Sequence, residues 1–200
     1  MQPGSAQDFH ASRVIGSGTT LDTSRFRRRL TERYGVASEN VHSYIIVEHG
    51  DSQVPVISSA RIAGVPLEGF CRQPDCATRK VPSRLSRTIR GLPLWKLSRP
   101  RELPTTALGA ALVRIVRAIL RDEQAVLTVS SLVPQSLGLG EVFFSLPAII
   151  NRNGVARVLS IPLSQSERKA LEASAHALKQ YIAALDTSKF THRVKLHFRT

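Results

Sequence analysis

Three side chains raise the chemical question. His49 follows an apolar run and precedes Gly50 and Asp51, which puts a group able to titrate near neutrality at the mouth of a strand. Asp22 and Arg25 lie three positions apart in a segment with helical spacing, so one turn of helix can present a carboxylate and a guanidinium together. Taken singly each is ordinary. A histidine at a strand end commonly serves structure, and a solvated i,i+3 ion pair is worth only about 0.2–0.5 kcal/mol. Together they form the candidate group of the chain. Metal chemistry finds no such group: Cys71 and Cys76 have no His or Cys partners at ligand spacing and read as two incidental thiols.

The elements that must position these residues are legible along the chain. Residues 14–19 (VIGSGT) read as a strand end entering a tight turn. A helix follows, with Asp22 or Thr23 as its cap, Phe26, Leu30 and Tyr34 at four-residue spacing, and Gly35 ending it. Residues 41–47 (VHSYIIV) have the β-branched, apolar character of a buried strand and run directly into EHGDS. A second helix is predicted over 107–122, where Leu108, Leu112, Ile115 and Ile119 recur, with Val116 and Leu120 beside them and an alanine-rich face suited to close packing. Residues 125–133, 141–150 (interrupted by Pro147) and 155–161, with a turn at Asn153-Gly154, read as a β meander. Ser164 and Glu167 have the spacing of a capping box, opening an amphipathic helix through Leu171, Ala175, Leu178, Ile182 and Leu185 that should end near Asp186.

Two hundred residues, 42% hydrophobic and 22% charged, make one domain or two small ones and exclude both a large multidomain enzyme and a wholly disordered chain. Twenty-eight Lys and Arg against 15 Asp and Glu give a net charge of +13, which points toward nucleic acid or an anionic membrane as partner. That charge is local. Residues 72–103 carry nine basic side chains against Asp75 and Glu102, and the tail 187–200 adds Lys189, Arg193, Lys195 and Arg199. The segment 72–106 also holds five of the eleven prolines and no apolar period. No stretch approaches the roughly 20 apolar residues of a membrane span, and MQPGSAQDFH lacks the order of a signal peptide, so a cytoplasmic protein with no membrane partner is expected. The organisation reads as an unpatterned leader (1–11), a domain (12–186) interrupted by the anomalous segment 72–106, and a basic tail (187–200).

The stretches VIGSGTTLDTSRFR (14–27), EHGDSQVP (48–55), SSARIAGVPL (58–67), LVRIVRAILRDEQAVLTVSSLV (112–133) and PAIINRNGVARVLSIPL (147–163) closely resemble bacterial L-lactate dehydrogenase, of the lactate/malate dehydrogenase family. The resemblance covers residues 12–71 and 107–186 and corresponds to the C-terminal, substrate-binding half of that family, an α+β domain of antiparallel sheet packed with long helices. It implies pyruvate and NADH going to (S)-lactate and NAD, with malate or another 2-hydroxy acid as the alternative, and a homotetramer that a fragment is not expected to form. His49 would donate and accept the proton, Asp22 would orient it, and Arg25 would bind the substrate carboxylate. These types suit the reaction. A carbonyl reduction needs a proton at oxygen, and a guanidinium fork holds a planar carboxylate through two parallel hydrogen bonds. Arg27 and His42 match positions where sugar-bisphosphate-activated members bind fructose 1,6-bisphosphate; otherwise Arg27 is solvated and His42 faces a neighbouring helix. The EHGDS form leans toward lactate.

Departures from the family are as informative. Neither Gly16-Ser17-Gly18 nor Gly138-Leu139-Gly140 has the third glycine and downstream acid of a dinucleotide fingerprint, so NAD is the family's cofactor with no binding residue assignable here. The Rossmann half reads as absent, and a truncated, inactive fragment is expected, since positioning contributes about 7–11 kcal/mol to such a reaction. Residues 92–106 (LPLWKLSRPRELPTT) can be encoded by codons whose other frame gives TVMEVIETAGATYY, similar to the family stretch before LGAALVRIV, so 72–106 reads as a frameshifted segment that should not form the family's helix. The rival from another class is a basic nucleic-acid-binding protein using 72–103 and the tail. That segment offers one aromatic, Trp95, and no binding motif, so specific nucleic-acid recognition is not expected.

Overall fold

The computed structural model describes residues 10–49, 52–70 and 105–184. The cysteines, Gly50, Asp51, the leader through residue 9 and the basic tail lie outside them. So does all of the anomalous segment except its last two residues, and with it the frameshift and nucleic-acid readings.

The first helix, α1 (Thr20–Tyr34), stops where expected, because Gly35 takes the left-handed conformation (φ 66°) and donates its N–H to the Thr31 carbonyl at 2.9 Å. Its start corrects the sequence reading. Thr19, not Asp22 or Thr23, stands at the N-cap position, and no side chain caps the helix. Asp22 and Thr23 sit buried inside the first turn with their polar atoms turned to other elements.

Strands β1 (Val41–Ile46), β2 (Val54–Ile62) and β3 (Val65–Pro66) form one antiparallel sheet in chain order, followed by the single turn α2 (Leu67–Phe70). After α3 (Thr105–Leu120), the expected meander appears as β4 (Ala125–Leu132), β5 (Phe143–Asn151) and β6 (Gly154–Val158), also antiparallel in order. Helix α4 (Gln165–Ala184) closes the described chain. Its capping box forms as read: Glu167 N–H donates to Ser164 Oγ at 3.3 Å, and Ser164 N–H donates to the Glu167 carboxylate at 2.7 Å.

Pro147 does not interrupt β5, which runs through it opposite Thr128. A proline has no N–H to offer a neighbouring strand, and the Thr128 carbonyl accepts a 3.1 Å hydrogen bond from the Thr20 hydroxyl. The start of α1 is thereby fastened to β4.

The two sheets meet at one bridge, Val47 to Ser145, where each residue's N–H donates to the other's carbonyl at 2.8 and 2.9 Å. Apolar packing around this seam joins Ile46, Val47, Val54, Phe144 and Leu146 to Leu171 and Ala175 of α4. A second cluster places Phe26 and Leu30 of α1 against Val41, Ile45, Ala60 and Ile62. Helix α3 buries its small face, Ala111, Ile115 and Ala118, as the alanine spacing suggests. Much of its larger apolar side is exposed, Leu112 to 46%, Val113 to 65% and Leu120 to 78%, so the periodicity marked a face that the described residues do not cover. Among the described residues no helix is long and apolar enough to cross a membrane.

Candidate active site

Asp22 and His49 stand 27 positions apart in sequence, yet Asp22 Oδ2 and His49 Nδ1 lie 2.7 Å apart. Helix α1 brings the carboxylate to this point and the end of β1 brings the imidazole. Their environments differ sharply: Asp22 is 1% exposed, whereas the His49 side chain is 52% exposed. An ionised carboxylate can only accept hydrogen bonds, so Nδ1 carries the hydrogen and Nε2 lies outside this contact. A carboxylate removed from water needs such a donor, because an uncompensated buried charge is costly.

The helix is held against β1 by hydroxyl groups. Thr23 Oγ1 accepts from Ile45 N–H at 3.0 Å and from the Thr128 hydroxyl at 2.8 Å, while Thr19 Oγ1 donates to the Ile45 carbonyl at 2.5 Å. The pair therefore has a fixed lateral spacing. Arg25, one turn beyond Asp22, is partly buried and engaged within the fold.

Gln53, which the sequence reading passed over, reaches the same imidazole. Its amide lies 3.4 Å from His49 Nδ1, and its Oε1 is buried with no partner. The single Nδ1 hydrogen is given to Asp22, so the longer approach of the Gln53 amide is a packing contact against the ring. The available signal was its place four residues after His49.

Arg27 and His42 occupy the neighbouring edge of α1 and β1. Arg27 Nε donates to the Ser43 carbonyl at 3.1 Å and its guanidinium lies 5.3 Å from the Tyr44 ring centroid, so it is not simply solvated. Burial pushes the Arg27 guanidinium below its ordinary value, although Tyr44 acts the other way. His42 is exposed and pairs in register with Arg61 of β2.

A dinucleotide does not fit the described residues. Both sheets are antiparallel, without the parallel strand-helix-strand unit on which a pyrophosphate rests. The Gly16 to Gly18 turn is closed against the protein, since a Cβ on Gly18 would lie 2.5 Å from Ser130 N and press on Ser145 Oγ. At Gly140 a Cβ would meet the Lys179 side chain. Among the described residues no group of three or more His, Cys, Asp or Glu could hold a metal.

Comparison with known proteins agrees with this architecture. Residues 19–188 match the family model described as lactate/malate dehydrogenase, alpha/beta C-terminal domain. The L-lactate dehydrogenase of Acetivibrio thermocellus is 38% identical over 179 residues, covering 89% of this chain and 56% of that protein. Among solved structures, the minor L-lactate dehydrogenase of Enterococcus mundtii in its ligands-unbound form superposes with a TM-score of 0.75 at 30% identity, over 94% of this chain and 57% of that one. A malate dehydrogenase of Cryptosporidium parvum superposes with a TM-score of 0.73 at 25% identity, over 88% of this chain and 56% of that one. The chain thus spans a little over half the length of these relatives.

Proposed function

Because the chain belongs to the lactate/malate dehydrogenase family, as its α+β C-terminal domain, we propose that it carries the proton-transfer and carboxylate-binding apparatus of a 2-keto acid reduction, with pyruvate and lactate as the substrate pair. The observation that carries this reading is the 2.7 Å contact between half-exposed His49 and buried Asp22. In the proposed chemistry Asp22 holds the Nδ1 hydrogen and stabilises the imidazolium, and His49 Nε2 gives its proton to the carbonyl oxygen, the hydride for C2 having to come from a donor that the described residues do not bind. In the reverse direction the same nitrogen takes the hydroxyl proton. Arg25 pairs with the substrate carboxylate and so fixes which face of C2 is presented.

The family's reaction uses NAD, yet the described residues do not fit a dinucleotide, and no step of this chemistry is assigned to one. The described residues accordingly account for binding and polarising a keto acid and not for the hydride. Arg27 and His42 extend the reading to an anion site for fructose 1,6-bisphosphate, supported by the exposed imidazole and by the half-buried guanidinium held to the carbonyl of the next residue, Ser43.

Titration of isotope-labelled chain with pyruvate tests this. Saturable NMR shifts at His49 and Arg25, weakened about tenfold or more in Arg25→Lys, are expected from loss of the two-pronged contact. No NADH oxidation should accompany them. Shifts confined to other residues contradict the site, turnover on the order of 1–1000 per second contradicts the division of labour, and tighter binding of oxaloacetate than pyruvate favours the malate alternative.

A further inference from the structure

The bridge between the two sheets lies two residues from His49, and its geometry is unusual. Val47 has φ 83°, a conformation that a β-branched residue rarely adopts because Cβ crowds the backbone. It is also 1% exposed, so its side chain is fixed in the core while its backbone is bent. Such a conformation persists only where its surroundings determine it. Here the determining partner is Ser145, whose N–H and carbonyl both bond to Val47.

Ser145 also reaches the other half of the pair. Its hydroxyl oxygen accepts the Thr19 N–H at 3.1 Å, three residues before Asp22 on the chain entering α1. Thr19 in turn donates its hydroxyl to Ile45, two residues before Val47, so the three segments close a small ring of hydrogen bonds. Gly18 seals that ring, because any side chain there would press on the Ser145 hydroxyl. Thr19 and Ser145 are 0% and 1% exposed, so water cannot replace a lost bond at either.

We propose that Ser145 is a positioning residue for the acid–base pair, setting the register of His49 through the strained Val47 and of Asp22 through Thr19. This rests on the reading that His49 and Asp22 act as a couple. Without the hydroxyl, Thr19 N–H loses its acceptor and the start of α1 can shift. The Val47 bridge is made by backbone atoms and stays, so the shift of α1 carries the Asp22 carboxylate away from His49.

The proton on His49 Nδ1 reports this directly, since its NMR resonance and its exchange with water depend on the contact with Asp22. The resonance should be present in the wild-type chain and lost in Asp22→Asn. In Ser145→Ala, under conditions where circular dichroism shows a folded chain, it should exchange about tenfold faster, whereas Ser131→Ala on the adjacent strand should leave it unchanged. An unaltered resonance in Asp22→Asn overturns the couple itself. Loss in Asp22→Asn with no change in Ser145→Ala overturns only the positioning role. Should Ser145→Ala not fold, urea-dependent exchange of the wild-type chain decides. The Thr19 amide and the His49 ring proton then open in one step if Ser145 links them, and in separate steps if it does not.

Discussion

The corner where β1 meets α1 and the outward side of α3 are built from similarly apolar sequence, yet they end in opposite states. At the corner, Ile46, Val47 and Phe144 are at most 2% exposed, and the hydroxyls of Thr19, Thr20 and Thr23 all have partners within the fold. On α3, Leu108, Leu112, Val113, Val116 and Leu120 are 45–78% exposed. The difference teaches where this domain is self-sufficient. It completes the setting of the Asp22–His49 pair from its own described residues, while one apolar helix face is not completed in the same way.

Mutation should separate the two regions by the largest margin. Phe144→Ala empties a site beside the seam and should cost about 3–5 kcal/mol of stability in chemical denaturation, the usual range for a buried aromatic ring. Leu112→Ala, nearly half exposed, should stay within roughly 0.5 kcal/mol. Equal losses at the two positions would break the comparison, and would mean that the α3 face is covered in the folded chain.

How far sequence carries a reader differs between the same regions. Gly35 and the capping box were legible because each signal is local, a left-handed stop and a helix end satisfying itself; the Asn-Gly hairpin signal was legible to within one residue, since the turn is Arg152-Asn153 and Gly154 opens β6. The cap of α1 was misread for a non-local reason. Asp22 is a good capping residue, but its carboxylate is taken by His49, brought alongside only when α1 packs on β1. Val47 gave no warning either, because a β-branched residue argues for extended backbone, and only the bridge to Ser145 explains its φ of 83°. On α3 the period identified a face without saying what packs on it. Strand β2 was not assigned, although its burial alternates, Val54 and Val56 in the seam cluster with α4 and Ala60 and Ile62 in the cluster with α1.

Glu167 gives a smaller test, at the joint between the corner's sheet and α4. Besides capping its helix, its carboxylate accepts from Ile57 N–H at 2.8 Å, Ser58 N–H at 3.1 Å and the Ser58 hydroxyl. Burial alone would raise its titration point, but the hydrogen bonds from Ser58 and Ser164 outweigh it and hold the carboxyl below the ordinary value of 4.5. A carboxyl depressed in the folded state stabilises the fold fully above its unfolded value and loses that contribution as pH falls through the folded one. Stability should therefore be insensitive to this group from pH 7 to about 5.5 and decline below about 4.5, with Glu167→Gln less stable at neutral pH and flatter below 4.5. A variant as acid-sensitive as the wild type would move the acid response elsewhere.

The central claim is that buried Asp22 holds His49 with its hydrogen on Nδ1, leaving Nε2 to exchange protons with a ligand. Nitrogen-15 NMR of the labelled imidazole ring, recorded where the ring is neutral, distinguishes the two nitrogens directly. The account predicts a pyrrole-like Nδ1 and a pyridine-like Nε2 in the wild-type chain, and a loss of that preference in Asp22→Asn. A ring whose hydrogen sits mainly on Nε2 in the wild-type chain would contradict it.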